Sequence, residues 1–199
     1  VILELKTKSA NVSHLIKSGA PKNILCTWSL STPTLIRHEE HGTASLEKRL
    51  AAARQVADAG FVVGFHFHPI IHYNNWQEDY QAVVNQLTSL FDIDEVALIS
   101  LGTLTYIKSV MREIRKKAIP SQILKMPLVD ADGKLSYPDD IKLSLFTSVY
   151  NSFPDDWKEY VFYYLCMENQ RFWKPVFGFE YTSNGEFEIA MKNSYLNKI

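Results

Sequence analysis

Cysteine is scarce in this sequence: Cys26 and Cys166 are the only two among 199 residues. Both stand inside apolar runs, which excludes a disulfide framework and indicates a reducing compartment. No apolar run reaches the length of a membrane span and no signal peptide precedes the first strand, so we expect a cytoplasmic protein without membrane contact. Val1 leads directly into an apparent strand, and we therefore expect the chain to be a fragment.

An excess of charge of one sign is also missing, because the formal net charge is −1. A protein that grips nucleic acid mainly by charge is usually strongly basic, so DNA binding would need a local patch or a shaped pocket. The sequence contains neither G-x-G-x-x-G after its first strand nor G-x-x-x-x-G-K-[ST]. These absences count against a nucleotide-binding doubly wound domain.

Apolar runs rich in β-branched and aromatic residues alternate with segments of helical periodicity. The runs predict strands, namely Ile2–Leu5, Ile24–Leu30, Phe61–Phe67, Val96–Leu101 and Tyr160–Met167. The periodic segments predict helices, namely Val12–Lys17, Ser45–Ala59, Trp76–Phe91, Leu104–Lys117 and Ile141–Tyr150. Such alternation is typical of an α/β protein with a parallel sheet, and we favour a complete or partial barrel.

We expect one main unit at residues 1–178 and a C-terminal tail at residues 179–199. Asn184-Gly185 in the tail suggests a small hairpin or strand extension. Asp130–Gly133 is a second turn signal, typical of a hairpin or loop excursion.

In parallel α/β barrels, active sites lie at the carboxyl ends of the strands. Polar groups cluster there in this sequence, which suits a small molecule with a carboxylate, an amine and a ribose. Lys6 and Lys8 follow the first strand, although lysines also mark the solvated end of an edge strand. Ser29 and Ser31 follow the second, where they could equally cap the helix that begins at Thr32-Pro33.

Three histidines form an H-x-H-x-x-x-H pattern at the end of the third strand: His66, His68 and His72. Residues two apart on a strand share a face, so His66 and His68 could meet one metal. Zinc usually needs three protein ligands, and pocket lining or hydrogen bonding is the commoner role. A metal-dependent hydrolase on a small barrel is the alternative that this cluster supports.

Two further features have an ordinary structural explanation. Cys166 in an apolar strand is most often packing. The basic run from Lys108 to Lys117 at helical spacing is usually a solvated helix face, and a phosphate-binding patch is the less common outcome. A cofactor-free nucleic-acid-binding module is therefore a third alternative, against which the net charge argues.

Long stretches of the sequence resemble the spore photoproduct lyase family and related DNA-photolyase-like radical-SAM (S-adenosylmethionine) proteins. The stretches that carry this resemblance are residues 40–61, beginning Glu40-His41-Gly42-Thr43, residues 64–71 and 75–80, and the shorter segments 6–8, 12–15, 28–30, 100–103 and 164–168. They follow the family's order over about residues 2–178. Motifs of this length are more specific than a short pattern.

The resemblance implies a partial (β/α)6 barrel of TIM type, of which this chain would supply about four βα units and a C-terminal extension. It implies S-adenosylmethionine and a 4Fe–4S cluster as cofactors, and a 5′-deoxyadenosyl radical that starts the reversion of a thymine dimer in DNA. Missing strands would leave an open sheet edge, through which the chain could associate with another copy.

The resemblance also assigns roles by position. Lys8 and Ser29 match residues that contact S-adenosylmethionine, and His68 matches a residue beside the cofactor and lesion, where many relatives carry Asp. Tyr137 matches an aromatic that contacts the lesion, with Ser136 in place of the basic neighbour. The cluster cysteines and the hydrogen-donor cysteine would lie upstream of Val1, so we expect the isolated chain to bind no cluster and to be inactive.

Overall fold

A computed structural model describes residues 1–117, 120–131 and 133–199. Within these residues the strands are β1 (Leu3–Thr7), β2 (Ile24–Ser29), β3 (Val63–Ile70), β4 (Val96–Thr103), β5 (Thr105–Ile107), β6 (Val129–Ala131), β7 (Lys134–Ser136) and β8 (Phe162–Leu165). The helices are α1 (Ser13–Lys17), α2 (Pro33–Glu39), α3 (Leu46–Asp58), α4 (Trp76–Leu90), α5 (Lys108–Lys116), α6 (Asp139–Asn151), α7 (Asp155–Tyr160), α8 (Trp173–Phe177) and α9 (Asn184–Leu196).

Five strands form one parallel sheet in the order β1-β2-β3-β4-β8. The sequence-based prediction of an α/β chain with a parallel sheet is confirmed. Because all five strands run in the same direction, their carboxyl ends meet at one edge of the sheet, which we call the carboxyl edge.

Helix starts follow the capping chemistry that the sequence indicates. The Ser45 side chain accepts a hydrogen bond from the Lys48 backbone N–H and begins α3. The Thr32 side chain does the same for α2, with Pro33 in the first helical position. The predicted helices Ser45–Ala59 and Trp76–Phe91 are confirmed to within one residue at each end.

The main core lies on one face of the sheet. Large side chains from alternate strand positions are fully buried there, among them Trp28, Phe65 and Phe67. Helices α3, α4 and α6 cover this face with apolar stripes, of which Leu50, Val84 and Phe146 are members. The opposite face carries polar side chains toward the carboxyl edge and becomes the candidate site.

Helix α9 covers the amino-terminal half of that opposite face. Tyr195 is buried against Leu25 and Leu98, and its hydroxyl donates a hydrogen bond to the Lys22 carbonyl. The predicted hairpin in residues 179–199 is therefore wrong. Ser183 caps a helix instead, and Asn184-Gly185 occupies its first turn because the Ser183 side chain binds the Glu186 backbone N–H. The division at residue 178 stays a prediction.

The predicted helix Leu104–Lys117 is confirmed over Lys108–Lys116 and wrong over its first residues. Residues 105–107 form β5, which pairs antiparallel with β7, and the helix begins only at Lys108. β6 and β7 form the hairpin that the turn at residues 130–133 predicts, although Asp132 lies outside the described residues. Among the described helices, none combines the length and the apolar character that crossing a membrane requires.

Candidate active site at the carboxyl edge

The face opposite the core carries a continuous set of polar side chains. Since side chains alternate along a strand, residues two apart share this face. Its members are Glu4 and Lys6 from β1, Thr27 and Ser29 from β2, His66 and His68 from β3, Ser100 from β4, and Tyr164 from β8, and Gly102 of β4 lies on the same face. Adjacent strands bring five elements of distant sequence to one surface.

His66 lies at the centre of this surface and is buried. Its Nε2 is 2.8 Å from Glu4 Oε1, and its Nδ1 is 2.5 Å from Ser100 Oγ. Thr27 Oγ1 donates to the same Glu4 oxygen at 2.9 Å. The hydrogen bond from His66 lowers the pKa of Glu4, while burial lowers the pKa of His66. The pair is therefore a carboxylate beside a neutral imidazole.

His68 continues the chain of hydrogen bonds toward the carboxyl edge. Its Nε2 is 3.1 Å from Ser100 Oγ, and its Nδ1 is 3.2 Å from Lys6 Nζ. Burial, helped by the Lys6 charge and the neighbouring His66, lowers the pKa of His68 to about 3. A neutral His68 can accept from the Lys6 ammonium group through one ring nitrogen and donate to Ser100 through the other.

Gly102 gives His68 the space for its ring. A Cβ at residue 102 would lie 2.9 Å from both Cδ2 and Nε2 of His68. The imidazole thus lies directly against the backbone of β4, and a side chain at this position would displace it.

Lys8, just beyond β1, faces a carboxylate. Its Nζ lies 2.8 Å from Glu40 Oε1, and its side chain is 33% exposed. The same carboxylate accepts from Ser31 Oγ at 2.6 Å and from Arg49 Nη2 at 2.5 Å. Burial raises the pKa of Glu40, but the hydrogen bonds from Lys8, Ser31 and Arg49 outweigh it and the pKa is lowered. Glu40 is therefore ionised at neutral pH.

Arg49 is completely buried and joins the first two strand ends. In addition to Glu40, it donates to the Ser29 carbonyl at 2.9 Å, to the Ala44 carbonyl at 2.8 Å and to Thr43 Oγ1 at 2.7 Å. Sequence reasoning assigned no role to Arg49 or Glu40. Both lie in residues 40–61, one of the stretches that carry the family resemblance, and this position was the sequence signal that could have identified them.

The predicted cofactor residues Lys8, Ser29 and His68 lie at the carboxyl ends of three neighbouring strands. Ser29 is buried and pairs in register with His66, and Lys8 is tied to Ser29 through Glu40 and Arg49. Their roles toward a cofactor stay predictions.

Tyr137, the predicted lesion contact, is 1% exposed. Its hydroxyl accepts a hydrogen bond from the His72 backbone N–H at 3.2 Å. The ring packs in the main core and offers no open surface in this conformation. Its role stays a prediction that follows from the resemblance alone.

The alternative metal site at His66, His68 and His72 is wrong. The His66 and His68 rings face each other at 5.4 Å between centroids and bind the hydrogen-bond partners given above. His72 lies beyond the strand, is exposed and contacts Trp76. Among the described residues, no group of three His, Cys, Asp or Glu side chains could hold a metal ion.

A buried ion pair closes the site beside the last strand. Lys142 Nζ lies 2.8 Å from Glu168 Oε2, with side-chain exposures of 9% and 3%. Thr103 Oγ1 donates to the other Glu168 oxygen at 3.0 Å.

Both cysteines are free thiols. Burial raises the pKa of Cys26 to about 11 and also raises the pKa of Cys166. Neither cysteine is set up as a thiolate.

Comparison with known proteins agrees with this architecture. The model of the family described as "Spore photoproduct lyase" matches residues 2–135. A spore photoproduct lyase of Clostridium acetobutylicum is 31% identical over 80 residues, which are 40% of this chain and 24% of that protein. The chain thus spans about a quarter of the length of that relative.

Solved structures share the fold. A spore photoproduct lyase complexed with dinucleoside spore photoproduct superposes with a TM-score of 0.70 at 24% identity, over 83% of this chain and 51% of that one. A mutant of such a lyase, with bound AdoMet (S-adenosylmethionine) and dinucleoside spore photoproduct, gives a TM-score of 0.66 at 24% identity and the same coverage. Because the family match extends over most of the chain, this chain belongs to the spore photoproduct lyase family.

Proposed function

We propose that this chain forms part of a radical-SAM DNA-repair lyase that splits a thymine dimer of the spore photoproduct type. The observation that carries the proposal is the family match over residues 2–135. We further propose that the five-stranded sheet is part of a TIM-type (β/α)6 barrel, of which the chain supplies about four units.

The carboxyl edge fits S-adenosylmethionine by its donor set. The ligand's carboxylate needs a cation, and Lys8 and Lys6 stand on the strand end nearest the site. Glu4 and Glu40 supply negative charge for an ammonium and a sulfonium group. Ser29 supplies a hydroxyl, and the neutral His68 adds no competing positive charge. When bound, the cofactor supplies the radical that removes a hydrogen atom from the lesion.

The chain does not fit the iron–sulfur cluster. Such a cluster is held by three or four cysteine thiolates, and this sequence has two cysteines, 140 positions apart. Cys26 belongs to the main core, away from the polar face. We propose that the cluster ligands stand in another part of the full-length protein.

Lys8 has a specific task in this proposal. Its ammonium group rests on Glu40, which Arg49 and Ser31 also hold. An incoming carboxylate competes for Lys8, and Glu40 keeps its two other donors when Lys8 turns away. The exchange therefore leaves no buried carboxylate without a partner, and this lowers its cost.

Substrate and location extend the same proposal. The solved spore photoproduct lyase structure that superposes on this chain is a complex with dinucleoside spore photoproduct. We propose a thymine dimer in DNA as the substrate of this protein. Such a substrate implies a cytoplasmic location. Two alternative functions are less well supported. The metal site that a hydrolase would need at His66, His68 and His72 is not formed among the described residues. A cofactor-free nucleic-acid-binding module does not explain the family match.

The free edge of the sheet completes the proposal. β1 pairs with β2 on one side, and its outer side pairs with no described strand. Leu3 and Leu5 are 52% and 42% exposed on this strand. We propose that a further strand covers this edge, and that the isolated chain can self-associate through it. Light scattering of the isolated chain tests this, and a strict monomer at high concentration would count against it.

Calorimetry with S-adenosylmethionine tests the cofactor site in the full-length protein. A charge-assisted hydrogen bond contributes about 1.5–3 kcal/mol, so Lys8→Ala should weaken binding roughly 10- to 100-fold. Lys6→Ala is the matched control: because β1 ends at Thr7 and Lys6 binds His68, its effect should be smaller. Equal affinity of wild type and Lys8→Ala would remove Lys8 from the site.

A further inference from the structure

One segment of this nearly neutral chain is strongly basic. Residues 104–137, between β4 and α6, contain seven of the 21 Lys and Arg residues and three of the 22 Asp and Glu residues. Their net charge is +4, against −1 for the whole chain. We call these residues the basic excursion. The rest of the chain is accordingly acidic.

The described parts of the basic excursion are anchored near the carboxyl edge. Ser136 Oγ donates to the Leu104 carbonyl at 2.7 Å, next to the end of β4. Tyr137 binds the His72 backbone just beyond β3. Further along, Ser121 Oγ and the Gln122 backbone N–H donate to Glu39, which precedes the Lys8 partner Glu40. These contacts hold the described parts of the excursion to the ends of β3 and β4 and to Glu39 at the end of α2, beside the Lys8 partner Glu40.

Helix α5 carries the charge of the excursion in an ordered row. Lys108, Arg112, Arg115 and Lys116 follow the i, i+4, i+7, i+8 spacing that places them on one side of a helix. Met111 is buried against the protein, while these four residues are exposed. We call the four side chains the basic stripe. It faces solvent.

The centre of the basic stripe has no acidic partner among the described residues. Lys108 pairs with Asp130 and Lys116 pairs with Glu113. Arg112 and Arg115 form no ion pair with any residue in the ranges that the structure describes. Guanidinium groups match phosphate oxygens with two parallel hydrogen bonds, so two arginines one turn apart suit successive phosphates of a polynucleotide.

We propose that the basic stripe, with Arg112 and Arg115 at its centre, binds the phosphate backbone of double-stranded DNA beside the candidate site. This rests on the proposed function, since only a polynucleotide substrate must extend past the edge of the site. The contact is independent of sequence and serves to position the duplex. Because the net charge of the whole chain is only −1, this local patch supplies most of the electrostatic attraction to DNA.

DNA affinity of the 199-residue chain tests the inference directly. Fluorescence anisotropy with a labelled duplex over a range of salt concentrations compares wild type with Arg112→Glu/Arg115→Glu. Lys17→Glu/Lys192→Glu is the matched control, with the same change in charge at exposed positions on α1 and α9. Circular dichroism of each variant establishes that it is folded.

The wild-type chain should bind the duplex with a salt-dependent affinity. Each phosphate contact contributes about 0.9 to the slope of log K against log salt, so the arginine variant should lose about 2 in slope and about tenfold or more in affinity. The control should bind within about twofold of wild type at the same salt.

Equal losses in both variants, or no measurable duplex binding by the wild-type chain, would overturn the inference. Tighter binding to phosphatidylserine vesicles than to the duplex, lost in the arginine variant, would also overturn it in favour of a membrane surface. Cofactor affinity in the full-length protein is measured separately. Failure of the proposed function would therefore show there, and failure of this inference in the duplex titration.

Discussion

Lys6 and Glu4 lie two residues apart on β1 and form the two ends of one chain of hydrogen bonds through His68, Ser100 and His66. With both histidines neutral, every link has one donor and one acceptor. The Lys6 ammonium group donates to His68, which donates to Ser100, which donates to His66, which donates to Glu4. The chain sets both imidazole tautomers and fixes the charged groups at its ends.

Ser100→Ala should interrupt this chain at its centre. Two buried ring nitrogens would lose their partner, which costs about 1–3 kcal/mol of unfolding free energy. Urea unfolding of the chain measures this loss. Ser89→Ala, at an exposed serine on α4 that bonds only a local carbonyl, should change stability by less than about 0.5 kcal/mol. Equal stabilities of the two variants would mean that the hydrogen bonds of Ser100 to His66 and His68 are not formed.

Stability should rise with pH between about 4 and 6. The pKa of His68 is about 3 in the folded chain and about 6.5 when unfolded, so the unfolded state binds more protons in this window. Full stability is reached above pH 6.5 and is lost as the pH falls toward 3. The slope should approach about 1.4 kcal/mol per pH unit for this group.

His68→Gln should flatten this pH dependence in urea unfolding, although the lowered pKa values of His66 and Glu4 leave part of it. An NMR titration of wild type provides a direct reading. A His68 ring that protonates near pH 6.5 would contradict the buried, neutral assignment.

Gly102→Ala should destabilise the chain and displace His68. The new Cβ would lie 2.9 Å from a ring that Ser100 and Lys6 hold in place, and overpacking of this kind costs about 1–3 kcal/mol. Gly185→Ala gives the opposite sign, because a Cβ there would lie 3.8 Å from Ser183 Oγ, an ordinary contact distance, and alanine favours a helix by about 0.5–1 kcal/mol. Thermal unfolding distinguishes the two, and two changes of the same sign would contradict the geometry.

Arg49→Met should be among the most damaging substitutions in the chain. It removes the partner of Glu40 and of the Ser29 carbonyl in a fully buried place, and breaking a buried pair costs about 3–5 kcal/mol. Arg54→Met is the matched control, since its pair with Glu95 is about a quarter exposed and should be worth about 1 kcal/mol or less. Similar losses of unfolding free energy in the two variants would contradict the strong stabilisation assigned to the buried Arg49 contacts.

The sequence predicts the five parallel strands well, because buried strands leave mainly apolar runs such as Ile24–Ser29. It fails where local signals are ambiguous. Thr105–Ile107 forms a strand because β7 lies beside it, which periodicity cannot show. Asn184-Gly185 is a common hairpin signal, yet the Ser183 cap and the packing of Tyr195 on the sheet favour a helix there.

The same limit applies to the site. The positions of Lys8, Ser29 and His68 at strand ends follow from the strand predictions. Their connection through Arg49 and Glu40 does not, because it joins residues 8, 29, 40 and 49 in space. Burial of Tyr137 depends on packing against several elements, and the hydrophobic pattern alone does not give it.

Repair activity of the full-length protein tests the central proposal most directly. The reconstituted protein would be incubated without oxygen with S-adenosylmethionine, a reductant and dinucleoside spore photoproduct, and the products separated by chromatography. Conversion of the photoproduct to the undamaged dinucleoside, with Lys8→Ala much slower than Lys6→Ala, is the predicted result. A protein with intact cluster and bound cofactor that leaves the photoproduct unchanged would contradict the assigned reaction.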